Sequence, residues 1–121
     1  MAFPQTRLRR LRQTPVLRDM VRETILTGND LIMPLFVRPG TKIKKEISSM
    51  PGNFQLSVDL IVEKCKSLYD NGVKSVLLFG IPEEKDETGD IACHDNGIVQ
   101  QAVMAIKKAI PQLYVIADIC Y

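Results

Sequence analysis

Tryptophan is missing from this chain, histidine occurs once, and cysteine only three times. A single histidine, His94, excludes a multi-histidine metal site and weakens any Ser/His or Cys/His catalytic pairing. An odd number of widely spaced cysteines, Cys65, Cys93 and Cys120, argues against a disulfide framework and for a reducing, cytoplasmic setting. No apolar run approaches the roughly 20 residues that a membrane span requires. The arginine-rich beginning, without a long apolar segment, does not read as a signal peptide. Neither the Gly-x-Gly-x-x-Gly fingerprint nor a P-loop pattern occurs, so nucleotide binding has no local support. A formal net charge of +2 is too small to imply a nucleic-acid partner. The Arg7–Arg12 run is the one candidate for such an arm. However, no interleaved aromatics follow it and acids return at Asp19 and Glu23, so Arg–carboxylate pairing with a neighbouring subunit is the better expectation.

What is present is the makeup of a globular domain, with 45% hydrophobic residues in 121, enough for a core. Thr14-Pro15 predicts a helix start, with threonine as cap and proline in the first turn. Leu17, Met20 and Val21 supply its apolar stripe, and Gly28-Asn29-Asp30 is a turn. The segment 1–28 has too few apolar residues to fold alone and reads as an arm that must lie on something.

Residues 29–121 alternate strand and helix. Leu31–Val37 predicts the first strand, although Pro34 cannot donate to a ladder and demands an irregularity or a neighbour that does not need its N–H. Thr41–Leu56 predicts a long loop or small hairpin. Ser57 is expected to cap an amphipathic helix with Leu60, Ile61, Lys64, Cys65 and Leu68 on one side, closed by Asn71-Gly72. Ser75–Phe79 is a strand apolar on both faces, and therefore expected to be covered on both. A polar loop, Glu83–Gly89, leads to a second helix over 98–110, which Pro111 ends. The last apolar run, 113–121, predicts a third strand. This order implies an α/β fold with parallel pairing, about three strands and two helices.

Two residues near the end carry candidate chemistry. Strand alternation puts Asp118 and Cys120 on the same side, at the C-terminal end where parallel α/β folds place their sites. Asp118 reads as a site acid or as a turn cap. Cys120 reads as a core thiol or as one soft metal ligand whose partners lie past residue 121. A buried strand with polar chemistry at its tip leads us to expect further chain. Cys65 reads as core, Cys93-His94-Asp95 as a passing surface loop, and the Glu83–Asp90 acids as a solvated face.

Several motifs follow one another here as they do in porphobilinogen synthases (5-aminolevulinate dehydratases). They are Arg9-Arg10-Leu11-Arg12, Arg18-Asp19-Met20-Val21-Arg22-Glu23-Thr24, Asp30-Leu31-Ile32, Pro34-Leu35-Phe36-Val37 and Ser49-Met50-Pro51-Gly52. Leu78-Phe79-Gly80-Ile81-Pro82, Lys85-Asp86, Gly89, Val99-Gln100 and Ala117-Asp118-Ile119-Cys120 complete the set. The chain resembles the N-terminal part of such an enzyme, of bacterial type. The resemblance implies a (β/α)8 TIM barrel preceded by an arm that embraces a neighbour in a homo-octamer. It implies condensation of two 5-aminolevulinate molecules to porphobilinogen, for tetrapyrrole and haem synthesis. It also implies two Schiff-base lysines that Lys64, Lys74, Lys85 and Lys107 do not match, so that the chain alone is expected to be inactive. By the same resemblance Asp118 matches an active-site acid near the substrate amine. Cys120 matches the first of the zinc cysteines in zinc-type members, with Tyr121 as the variable residue after it. The competing expectation is a non-enzymatic α/β binding module.

Overall fold

The structure, a computed structural model, describes residues 2–81, 83 and 96–119. Its sheet has five strands: β1 (Met33–Val37), β2 (Lys44–Glu46), β3 (Phe54–Leu56), β4 (Ser75–Gly80) and β5 (Tyr114–Ala117), in spatial order β2-β3-β1-β4-β5. Three α-helices accompany them among the described residues: α1 (Pro15–Met20), α2 (Val58–Asp70) and α3 (Ile98–Ala109). The expected three strands are β1, β4 and β5, paired parallel. The segment read as a loop or hairpin is a hairpin, β2 and β3, and it joins the sheet. β3 runs parallel to β1 but meets it only at Phe36 and Val37.

That short pairing resolves Pro34. Consecutive residues of a strand point their N–H groups to opposite edges. Val37 O accepts from Ile81 N–H on the β4 side, and Arg38 N–H donates to Leu56 O on the β3 side. Even-numbered positions of β1 therefore face β3, which begins its pairing two residues beyond Pro34. The missing donor falls where no ladder partner stands.

Both longer helices pack on one face of the sheet. Leu35, Val37, Val76 and Leu78 meet Ile61 and Cys65 of α2 and Ala102 and Ile106 of α3, with Leu113 closing the end. Each buried valine, leucine or isoleucine among them contributes roughly 1.5–3 kcal/mol by leaving water, so this single layer holds the sheet and its two helices together. The opposite face carries Phe36, Leu77, Phe79 and Ile116, all only partly buried. The expectation that β4 is covered on both faces is therefore met on one; among the described residues no helix packs on the other.

Helix ends follow the sequence with one exception. Thr14 Oγ accepts from Leu17 N–H at 3.1 Å, and Pro15 opens α1. Gly72, at φ 90°, closes α2, with Gly72 N–H on Tyr69 O and Val73 N–H on Leu68 O. Lys64, expected on the apolar stripe of α2, is exposed, and Val58 and Val62 pack in the cluster instead. Ser57 does occupy the N-cap position of α2, but its hydroxyl caps nothing and is spent on the hairpin, as described below. Gly28 lies against the backbone of Gly72, where a Cβ would stand 2.2 Å from the carbonyl oxygen, so the end of the arm rests on the end of α2. The rest of the arm has no such support. Leu8 is 91% exposed and Met20 76% exposed, and no residue of α1 is buried.

Cys65 is fully buried, and desolvation pushes its thiol from 9.0 up to about 11. The unfolded chain would lose this proton first, so stability falls as pH rises from about 9 towards 11. Peptide mass spectrometry is expected to find Cys65 unalkylated by iodoacetamide at pH 8 until denaturant is added. Alkylation of the native protein at the denatured rate would refute this placement.

Candidate active site at the strand ends

The open face of the sheet carries an ordered row of side chains near the C-terminal ends of its parallel strands. Register sets Gln55 beside Phe36 and Phe36 beside Phe79. The two rings stack with centroids 5.3 Å apart at 22°. Asp118 N–H donates to Leu78 O at 3.1 Å, which carries the β4–β5 ladder one step past Ala117 and puts Asp118 opposite Phe79. Asp118 is exposed. The row therefore reads Gln55, Phe36, Phe79, Asp118 across four strands, with an amide at one end and a carboxylate at the other.

A hairpin forms the rim beside this row, fastened by the first turn of α2. Ser57 Oγ accepts from Ile43 N–H at 3.0 Å, and Ser57 N–H donates to Ile43 O at 3.0 Å. The Asp59 carboxylate accepts from Lys42 N–H at 3.0 Å, which holds Lys42 in the left-handed region at φ 54°. Chiefly through the Ser57 hydroxyl, and further through that Lys42 N–H, Asp59 is held below its ordinary 3.8. A depressed carboxylate stabilises the fold above its unfolded pKa and ceases to as pH falls, so this fastening persists at neutral pH and weakens only below about 3.8. β4 ends on a glycine, Gly80, against which α3 packs closely: a Cβ there would lie 2.6 Å from Val99 Cγ2.

Of the residues singled out from the sequence, Asp118 lies at this rim. Cys120 lies outside the described residues, as do Cys93, His94, Asp95 and most of the Glu83–Asp90 loop, of which Glu83 is exposed. Arg38, Phe36 and Gln55 were not singled out, yet alternation from Phe36 would have put Arg38 on the same face. Among the described residues no three of His, Cys, Asp and Glu stand close enough to hold a metal ion. Nor is any helix there long and apolar enough to cross a membrane.

Side chains aimed from the C-terminal ends of parallel strands, above helices on the far face, are the site layout of (β/α)-barrel enzymes. The family is shown by comparison. The sequence profile described as Delta-aminolevulinic acid dehydratase matches residues 5–121, and the chain belongs to that family. The enzyme of that name from Synechocystis is 59% identical over 118 residues, covering 98% of this chain and 36% of the relative. The one from Helicobacter pylori is 52% identical over 116 residues, covering 95% and 36%. Delta-aminolevulinic acid dehydratase (porphobilinogen synthase) of Toxoplasma gondii, crystallised with the reaction product porphobilinogen, superposes with a TM-score of 0.86 at 30% identity. That match covers 94% of this chain and 33% of the other. The fold is thus a part of a TIM barrel, and the chain spans about a third of the length of these relatives.

Proposed function

We propose that the full-length protein is a porphobilinogen synthase, joining two 5-aminolevulinate molecules with loss of water. Family membership over residues 5–121 carries this reading. The position of Asp118 at a strand end, on the open face beside Phe79, supports it.

In this reading the stacked Phe36 and Phe79 give an apolar floor for the methylene carbons of the substrate. Asp118 meets a substrate amine, holding it by charge and accepting its proton as bonds rearrange. The Schiff-base lysines come from later in the full-length chain, so residues 1–121 alone do not turn over.

Zinc is part of the proposal through Cys120 alone. One thiolate cannot complete a four-coordinate site, and the described residues do not fit a metal by themselves. Cys120 would be one ligand of several, the others following it. Bound there, the ion would supply Lewis-acid polarisation of a carbonyl. The arm, with its exposed leucines and arginines, would dock on a neighbouring subunit of a homo-octamer in the cytoplasm.

One preparation of the full-length protein tests these points together. We expect pyrrole formation from 5-aminolevulinate, bound zinc that is lost in Cys120→Ser, and a multi-subunit species in sedimentation. Absence of pyrrole product from folded, zinc-supplied protein would overturn the enzymatic reading. Retention of zinc by Cys120→Ser would overturn the metal ligand, and a monomer would overturn the role of the arm.

A further inference from the structure

The outer edge of β1 is shared unequally. β3 takes its C-terminal part, at Phe36 and Val37, and Arg38 N–H extends that pairing to Leu56 O at 2.9 Å. The N-terminal part, where Ile32 and Pro34 face the same edge, has no strand beside it among the described residues, and both residues are exposed. A closed (β/α)8 barrel brings its last strand to that edge, because β4 already holds the other. The last strand can pair with β1 only before Phe36, and its C-terminal end then runs up to β3, beneath Gln55 and Arg38. Pro34 offers that strand a carbonyl but no N–H, so the ladder closing the barrel here is short.

Arg38 stands at this junction with a guanidinium that is only half used. Its Nη1 donates to Gln55 Oε1 at 3.2 Å, whereas its Nε is buried and meets no hydrogen-bond acceptor. No described acid pairs with it; the ion pair seen among the described residues joins Arg22 to Asp19 near the start of the chain. Within the row, Phe36 and Phe79 offer rings, and Asp118 stands at the far end, two strands from β1.

A guanidinium cannot shed its proton to escape burial. A buried charged donor without a partner is costly, and a carboxylate beside it removes that cost. Nε and Nη2 present two parallel N–H groups, which match the two oxygens of a carboxylate.

We propose that Arg38 forms an ion pair with an aspartate or glutamate at the C-terminal end of the last barrel strand. The pair fastens the barrel shut where the β2–β3 hairpin ends the ladder along β1. The partner is thus a later segment of the full-length chain, recognised by its carboxylate and by its place against β1. This rests on the barrel fold and not on the reaction.

Melting of the full-length protein tests it. Each aspartate and glutamate of the last strand, and of the turn after it, is changed to Asn or Gln, alone and together with Arg38→Met. Arg38→Met is expected to lower the melting temperature by about 5–10 °C, because breaking one side of a buried pair leaves the other charge uncompensated. One acid variant should give a similar loss, and its combination with Arg38→Met should fall no further than either alone. Arg38→Glu together with that acid changed to Arg should regain stability that Arg38→Glu alone loses, which a mere packing role would not allow. Arg38→Lys keeps the charge without the fork. It should lose less than Arg38→Met, and it carries the same cycle if the Met variant fails to fold. An unchanged melting temperature in Arg38→Met overturns the proposal. So does strict additivity with every acid of the last strand, or coupling instead to an acid between positions 83 and 95. A folded protein inert towards 5-aminolevulinate would remove the proposed function and leave this cycle readable.

Discussion

Asp118→Asn in the full-length protein is expected to lower kcat/KM for 5-aminolevulinate by about 10³-fold, within the range for removing a positioned acid or base. The substitution keeps the size of the side chain and removes only its charge and basicity. Asp118 is exposed, and what fastens it to the sheet is its backbone N–H on Leu78 O, which asparagine retains. With that anchor unchanged, a melting curve separates lost chemistry from lost stability. Steady-state rates of pyrrole formation, with a melting curve on each preparation, check it. A variant that melts like wild type and keeps more than a tenth of its activity would remove Asp118 from the chemistry. The contrasting substitution is Asp59→Asn: that carboxylate holds the hairpin through Lys42 N–H and stands outside the row.

Sequence reading went far here where a local rule decides the outcome, and stopped where two distant segments share one. Thr14-Pro15 and Asn71-Gly72 are local signals, and α1 and α2 begin and end on them. Cys65 falls on a helical stripe and is buried there. Pro34 posed a question that sequence could frame but not answer, because the answer depends on where β3 starts its pairing. Ser57 has the right residue type for a cap, yet Ile43, fourteen positions earlier, takes its hydroxyl. Nothing local to Ser57 announces that competition. The same limit applied at the site. Asp118 stood out because it ends an apolar run, whereas Arg38 sits in a Pro-Gly turn and looks like surface. Only the register, with Gln55 beside Phe36, and the hydrogen bond from Arg38 Nη1 to Gln55 reveal that its guanidinium reaches the Gln55 end of the row.

The open face also makes a prediction about the full-length barrel that can be read from one strand. Leu77 and Leu78 are neighbours on β4 and point to opposite sides. Leu78 is fully buried under α2 and α3, whereas Leu77 is only partly covered. Closing a (β/α)8 barrel turns the open face inward, where layers of side chains fill the interior. Leu78→Ala should cost about 2–5 kcal/mol, as leucine truncation in a packed core does. In the full-length protein Leu77→Ala should cost about as much, because each truncation leaves a cavity. If the face instead borders solvent, Leu77→Ala should change stability by less than about 0.5 kcal/mol. Thermal or denaturant unfolding of the two variants discriminates directly. A large loss for Leu78→Ala with none for Leu77→Ala would mean that the row from Gln55 to Asp118 does not line an enclosed interior. A site for the proposed condensation, which must exclude water, would then have to be sought on another face.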